Sequence, residues 1–187
     1  QVKVKIIDNG DTSVVDESNA NFAIKGTVTV GAPNGDETWF VGQNRDITWS
    51  KKGTFANVKL EYSTNAFADE DETTVIANST DATGTPAASY KYQWSVPDAI
   101  DGNLKVRISQ ANDATVTDVS NGTFTIKGIL LLTDPNEGDE VWIVGEKRNI
   151  TWNRTGSIAN VRLDHSINSG TNYASEIIAS TGAAAGT

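Results

Sequence analysis

Apolar residues recur at every second position through much of this chain. Val28 and Val30 alternate with Thr27 and Thr29, and Val58, Leu60 and Tyr62 with Asn57, Lys59 and Glu61. Tyr90, Tyr92, Trp94 and Val96 alternate with Lys91, Gln93 and Ser95, and Leu104, Val106 and Ile108 with Lys105, Arg107 and Ser109. A period of two belongs to strands with one face on a core and the other in water. Turn residues punctuate these runs at Pro33-Asn34-Gly35, Gly53, Thr83-Gly84-Thr85-Pro86, Pro97-Asp98, Asp101-Gly102-Asn103 and Asn121-Gly122. The pattern predicts strands near 27–32, 38–42, 45–49, 56–63, 73–77, 89–96, 103–110 and 115–126, the last broken by a bulge at Asn121-Gly122. Seven or eight short strands in about 100 residues, with no segment of helical period, predict an all-β, immunoglobulin-like or fibronectin-like sandwich.

The same pattern is written more than once. Pro33-Asn34-Gly35-Asp36-Glu37-Thr38-Trp39-Phe40-Val41-Gly42 returns as Pro135-Asn136-Glu137-Gly138-Asp139-Glu140-Val141-Trp142-Ile143-Val144-Gly145. Ile47-Thr48-Trp49 returns as Ile150-Thr151-Trp152, and Ala56-Asn57-Val58-Lys59-Leu60 as Ala159-Asn160-Val161-Arg162-Leu163. Upstream, Val4-Lys5-Ile6 matches Val106-Arg107-Ile108, and Phe22-Ala23-Ile24-Lys25-Gly26 matches Phe124-Thr125-Ile126-Lys127-Gly128. The offset is 102 residues, or 103 after the extra Glu137. A period of that length is a whole small domain, beyond the roughly 20–50 residues of a solenoid unit. The expected organisation is therefore a tandem array: 1–26 as the closing strands of a first repeat, 27–127 as a complete repeat, and 128–187 as the front of a third, with Thr187 the counterpart of Thr85. A single glycine joins consecutive repeats, which predicts butted domains in an extended rod rather than loose beads.

The P-N-G-x-E-x-W-x-V-G…I-T-W…V-x-L-x-Y-S opening and the D-V-S-x-G-x-F-T-I-K-G ending resemble a recurrent extracellular repeat. It is related to the KNH-type, Ser/Thr-rich GPI-anchored cell-wall domain of fungi and is common in large bacterial and archaeal surface proteins. That resemblance implies immunoglobulin- or fibronectin-like modules serving as spacers, adhesion segments or wall-associated parts. The third repeat departs from the pattern at the inserted Glu137 and at His165, which stands where Tyr62 stood.

Composition narrows the functions. A formal net charge of −9 argues against nucleic acid, whose phosphates need clustered Lys and Arg. No run of about 20 apolar residues is present, so no membrane span is expected in this window; the apolar stretch from Ile129 to Leu132 reads as a buried strand. The chain has no Cys, which removes disulfides, thiolate nucleophiles and thiolate metal sites. Without the disulfide of antibody domains, large side chains must fill the space between the sheets. Trp39, Trp49, Trp94, Val58, Leu60, Tyr62, Val106, Ile108, Phe124 and Ile126 are expected to form that core.

Candidate chemistry is sparse. Indole faces can stack on sugar rings, but Trp39, Trp49, Trp142 and Trp152 sit inside alternating strands, where packing is the expected role. His165 is the one histidine and has no triad or metal constellation around it. The run Asp69-Glu70-Asp71-Glu72 has no charged equivalent in the third repeat and reads as a solvated loop. Asp36-Glu37 and Asp139-Glu140 do recur, and are weak candidates for Ca²⁺ held at a repeat junction, since that ion takes six to eight oxygens. No catalytic residue, other metal site or cofactor is expected. Four Asn-x-Ser/Thr triplets, at Asn78, Asn121, Asn149 and Asn153, carry little weight in a chain so rich in these residues.

These features point to a non-enzymatic spacer of a long extracellular or cell-surface protein: a stalk, fibre or adhesin. Its expected partners are neighbouring repeats, with self-assembly into fibres, surface glycans and other surface proteins as further candidates; variable loops at 64–74 and 167–176 would carry any binding. Two alternatives remain open, a carbohydrate-binding module and an accessory region of a large secreted enzyme. The half-sandwiches at either end would leave apolar faces uncovered. They are expected to be parts of a longer polypeptide or, alternatively, to complete one another by head-to-tail strand addition.

Overall fold

The computed structural model describes residues 1–81 and 90–183. The expected turn at Thr83-Gly84-Thr85-Pro86, the strand start at residue 89 and Thr187 lie outside them. Segment 27–127 folds as an all-β sandwich. In one sheet, β3 (Thr27–Ala32) and β8 (Tyr90–Ser95) flank β5 (Asn44–Lys52), each antiparallel to it, with Val30 opposite Trp49 and Trp49 opposite Tyr90. The other sheet runs β4 (Thr38–Phe40), β11 (Phe124–Lys127), β9 (Asp101–Gln110), β6 (Asn57–Ser63), β7 (Thr73–Asp81). β10 (Asp113–Val119) follows the same edge of β9 beyond β11. The chain leaves the first sheet after β3, turns at Pro33, and enters the second as β4, parallel to β11.

Alternation decides which side chains meet between the sheets. Val28 and Val30, Ile47 and Trp49, Val58 and Leu60, Leu104, Val106 and Ile108, and Phe124 and Ile126 all point inward and are buried. Aromatic rings bridge the sheets in place of a disulfide. Trp94 of β8 meets Trp39 of β4 at 5.9 Å between centroids, Tyr62 of β6 at 5.2 Å and Phe124 of β11 at 6.5 Å. Trp49 has no exposed surface and stacks on Tyr90 at 6.2 Å. Tyr62 is half-buried, packed against the core rather than inside it.

Several boundaries differ from the sequence reading. β5 continues past Trp49 to Lys52 and β7 past Ala77 to Asp81, because partners β3 and β6 extend the ladders. The final strand is two strands, β10 and β11, separated at Ser120–Thr123. The acidic run forms a single 3-10 turn, Glu70–Glu72, in which the Asp69 side chain accepts from Asp71 N at 3.1 Å. The loops at 64–74 and 167–176, which differ in sequence, open with the same turn. Ser63 Oγ donates to Asn65 Oδ1 and accepts from Phe67 N; Ser166 Oγ does the same with Asn168 and Gly170 N.

The flanking segments repeat pieces of this architecture. β1 (Lys5–Ile7) and β2 (Val15–Glu17) form a hairpin, β12 (Ile129–Asp134) pairs with β13 (Thr151–Thr155), and β14 (Asn160–His165) with β15 (Ser175–Gly182). Trp152 and Val161 are buried like their counterparts Trp49 and Val58. Other apolar positions are not: Ile24 is 76% exposed where Ile126 is fully buried, and Trp142 is 42% exposed where Trp39 is buried. The counterpart of β4 at 141–143 is not a strand, and no β11-like strand pairs with it among the described residues.

Candidate functional site at the joints between repeats

The recurring acidic loop has a local job. The Glu37 carboxylate accepts Asn34 N and Gly35 N, both at 2.8 Å, so each oxygen is spent on its own turn. That turn clasps the break between β10 and β11: Asn121 N donates to Asn34 Oδ1, Gly122 N to Asn34 O, and Asp36 N to Thr123 O. In the third repeat the inserted Glu137 supplies an additional donor, and Glu140 accepts from Asn136, Glu137 and Gly138 N–H groups at 2.5–2.7 Å. These donors, Glu137 N–H foremost, hold the Glu140 carboxyl down at about 2. At the positions named as Ca²⁺ candidates, Asp36 N and the Glu37 carboxylate bond to residues of their own repeat, and the Glu140 carboxylate beside Asp139 closes its own turn. Among the described residues no three His, Asp or Glu side chains gather around one point.

Of the tryptophans, Trp39, Trp49, Trp94 and Trp152 are buried, leaving none of these indole faces open to a ligand; only Trp142 is exposed. His165 lies exposed at the end of β14. The acidic turn, read from sequence as merely solvated, holds an ion-pair hub. Arg107 donates to both Glu70 oxygens at 2.6 and 2.8 Å and to Glu61 at 3.0 Å, beneath the Phe67 ring 4.6 Å away. Glu70, with Glu61 behind it, raises the Arg107 pKa further above its already high value. Glu61, only 5% exposed, also pairs with Lys59. The signal for this hub was the basic residue shared by Val4-Lys5-Ile6 and Val106-Arg107-Ile108.

What the sequence did not single out is the chemistry of the joints. At both, the linking glycine is pressed onto the end of a strand. A Cβ on Gly26 would lie 2.5 Å from Lys52 O and 2.7 Å from the Phe55 ring; one on Gly128 would lie 2.7 Å from Thr155 O and 2.8 Å from Ile158. Lys52 and Thr155, and Phe55 and Ile158, are the same positions of the repeat. A basic side chain closes each loop, Lys51 onto Phe55 O and Arg154 onto Ile158 O. Polar contacts then cross the joints. Lys25 reaches Asp113 at 2.9 Å and donates to Thr115 Oγ1. The Asp98 carboxylate accepts Ser157 N and Ser157 Oγ, both at 3.0 Å.

No family model matches the chain, and neither does any curated protein. Among solved structures, it is similar to the fibronectin(III)-like modules of CbhA from Clostridium thermocellum, at 20% identity over 74% of this chain and 67% of that one, with a TM-score of 0.30.

Proposed function

We propose that this chain is a non-catalytic structural part of a long extracellular or cell-surface protein, built of tandem sandwich repeats of the Pro-Asn-Gly-x-Glu-x-Trp type. One observation carries the reading: both linking glycines are packed against the same strand end of the following repeat, so the chain passes from repeat to repeat without a free linker. Such a chain gains length with each repeat and bends little, which is what a stalk or spacer needs. The buried indoles and the inward-turned Glu37 support a scaffold role over a ligand-binding one, and the absence of a histidine in 27–127 speaks against a His-based catalytic site there.

Small-angle scattering of the whole chain tests the reading, alongside a glycan array. An elongated particle that binds no glycan is expected. Glycan binding abolished by Trp142→Ala would replace the spacer by a carbohydrate-binding module, since Trp142 is the exposed indole.

A further inference from the structure

The two joints show different contacts, yet the residues involved recur. At the first joint, the basic end of one repeat, Lys25, meets the Asp113-x-Thr115 turn of the next, where Asp113 Oδ1 also accepts Thr115 N and Oγ1 at 3.1 and 2.6 Å. The first repeat carries the same turn: Asp11 Oδ1 accepts Ser13 N at 2.9 Å and Ser13 Oγ at 2.6 Å. Lys127 holds Lys25's place at the end of β11.

At the second joint, Asp98 and Ile100 meet the Gly156-Ser157 turn. A Cβ on Gly156 would lie 3.1 Å from Ile100 Cδ1 and Val41 Cγ2 and 3.2 Å from Asp98 Oδ1. Gly156 and Gly53 share a positive φ, 92° and 103°, so the turn that receives Asp98 is also built at Gly53-Thr54 of the preceding repeat. There its surroundings form an open cleft of about 370 Å³ lined by Ile24, Lys25, Gly53, Thr54, Phe55 and Asp113. The cleft thus lies beside the turn whose counterpart, one repeat later, is met by Asp98 and Ile100.

We propose that these are two halves of one recurring interface, whose partner on each side is another copy of the repeat. The trailing end of a repeat offers a carboxylate (Asp98) and an ammonium (Lys25, Lys127). The leading end offers a Gly-Ser/Thr turn that donates to the carboxylate and an Asp-x-Ser/Thr turn that accepts from the ammonium. Two contacts of opposite polarity, set apart on the same end face, fix rotation about the long axis as well as bending. A register error would place Asp98 towards Asp113, and like charges disfavour that pairing. The cleft beside Gly53-Thr54 is the seat for the Pro-Asp-Ala-Ile loop of a preceding repeat. This rests on the spacer reading and adds that the spacer is torsionally locked.

The chain has no Cys, so pairs of spin labels can be placed without background. Labels at Gln93→Cys and Asn153→Cys span the second joint, and labels at Asp16→Cys and Ser79→Cys span the first; all four positions are exposed. Pulsed electron resonance on the full chain should give narrow distance distributions across both. Asp98→Ala should broaden the second at least about twofold and leave the first unchanged; Lys25→Ala should do the reverse. Asp98→Asn, which keeps one acceptor oxygen, should broaden it less. Broad distributions in the unsubstituted chain, or widths unmoved by both alanine variants, would overturn the lock while leaving an elongated spacer intact. Glycan binding with narrow distributions would instead remove the spacer reading and leave the joint geometry standing.

Discussion

Trp94 of β8 stands edge-on to Trp39 of β4, ring centroids 5.9 Å apart and planes at 63°, and the pair ties one sheet to the other. Both also touch Phe124, at 6.5 and 5.1 Å, so the contact lies within a cluster. Trp94→Ala should cost about 3–5 kcal/mol by opening a cavity between the sheets. A double-mutant cycle with Trp39→Ala should return a coupling of about 0.5–1.5 kcal/mol in urea unfolding. A coupling near zero would mean that each indole packs independently.

Trp49 presents a different balance. Its indole is fully buried, and Nε1 finds no hydrogen-bond partner; the equivalent Trp152 Nε1 finds none either. Leaving a donor unpaired costs stability that Trp49→Phe recovers in part. That variant should therefore lose only about 1–2 kcal/mol, against about 3–5 kcal/mol for Trp49→Ala. Phenylalanine as damaging as alanine would show that the N–H is satisfied, for instance by a buried water.

The fold was legible because its information is local and repeated. Alternation at Val58, Leu60 and Tyr62 and at Leu104, Val106 and Ile108 marks strands whatever their partners, and the turn at Asn121-Gly122 marks the break in the last strand. The strand ends at Lys52 and Asp81 were not legible, since they depend on how far a partner's ladder runs. The candidate site was less legible still. Asp98, Ser157, Lys25 and Asp113 are ordinary surface residues in sequence and acquire a role only when two ends are apposed. Glu37 is ambiguous for the same reason: an acidic residue beside a turn reads alike whether it faces solvent, a cation or its own backbone amides.

Arg107 lies over the buried Glu61 and clamps Glu70 from outside. Removing it leaves Glu61 with Lys59 alone, 2.5 Å away. Arg107→Ala should destabilise by about 1–3 kcal/mol, and the turn at Glu70–Glu72 should lose amide protection. Glu70→Ala should cost much less, because that carboxylate is exposed. Equal losses in thermal melts would place the energy in the Glu70 pair instead.

The first joint should depend on pH in a defined direction. The Thr115 hydroxyl, then Lys25, hold the Asp113 carboxyl at about 2, below its ordinary 3.8. A depressed carboxyl contributes fully above the ordinary value and loses its contribution as pH falls through about 2. Label distances across the first joint should stay narrow from neutral pH to about 4 and broaden as pH approaches 2. Broadening complete by about pH 5 would mean that Lys25 and Asp113 do not hold the joint.

The Pro-Asn-Gly turn and the break at Asn121-Gly122 hold each other, and the tightness of that clasp gives the last test. A Cβ on Gly122 would fall 2.8 Å from Gly35 Cα and 3.4 Å from Asn34 O, backbone atoms that cannot rotate away. Gly122→Ala must therefore separate the two turns and lose the Gly122 N to Asn34 O bond of 2.9 Å. The cost should be about 1–3 kcal/mol. Glu37→Gln acts from the other side, keeping the shape but leaving one acceptor oxygen for two N–H donors, for about 1–2 kcal/mol. Since both changes strike one clasp, their combination should cost less than the sum. Hydrogen exchange should show the Asn121 and Gly122 amides losing protection in each variant while the Trp49 amide in β5 keeps its own. Strict additivity, or protection lost throughout the sandwich, would mean that the turn and the break stabilise the domain separately.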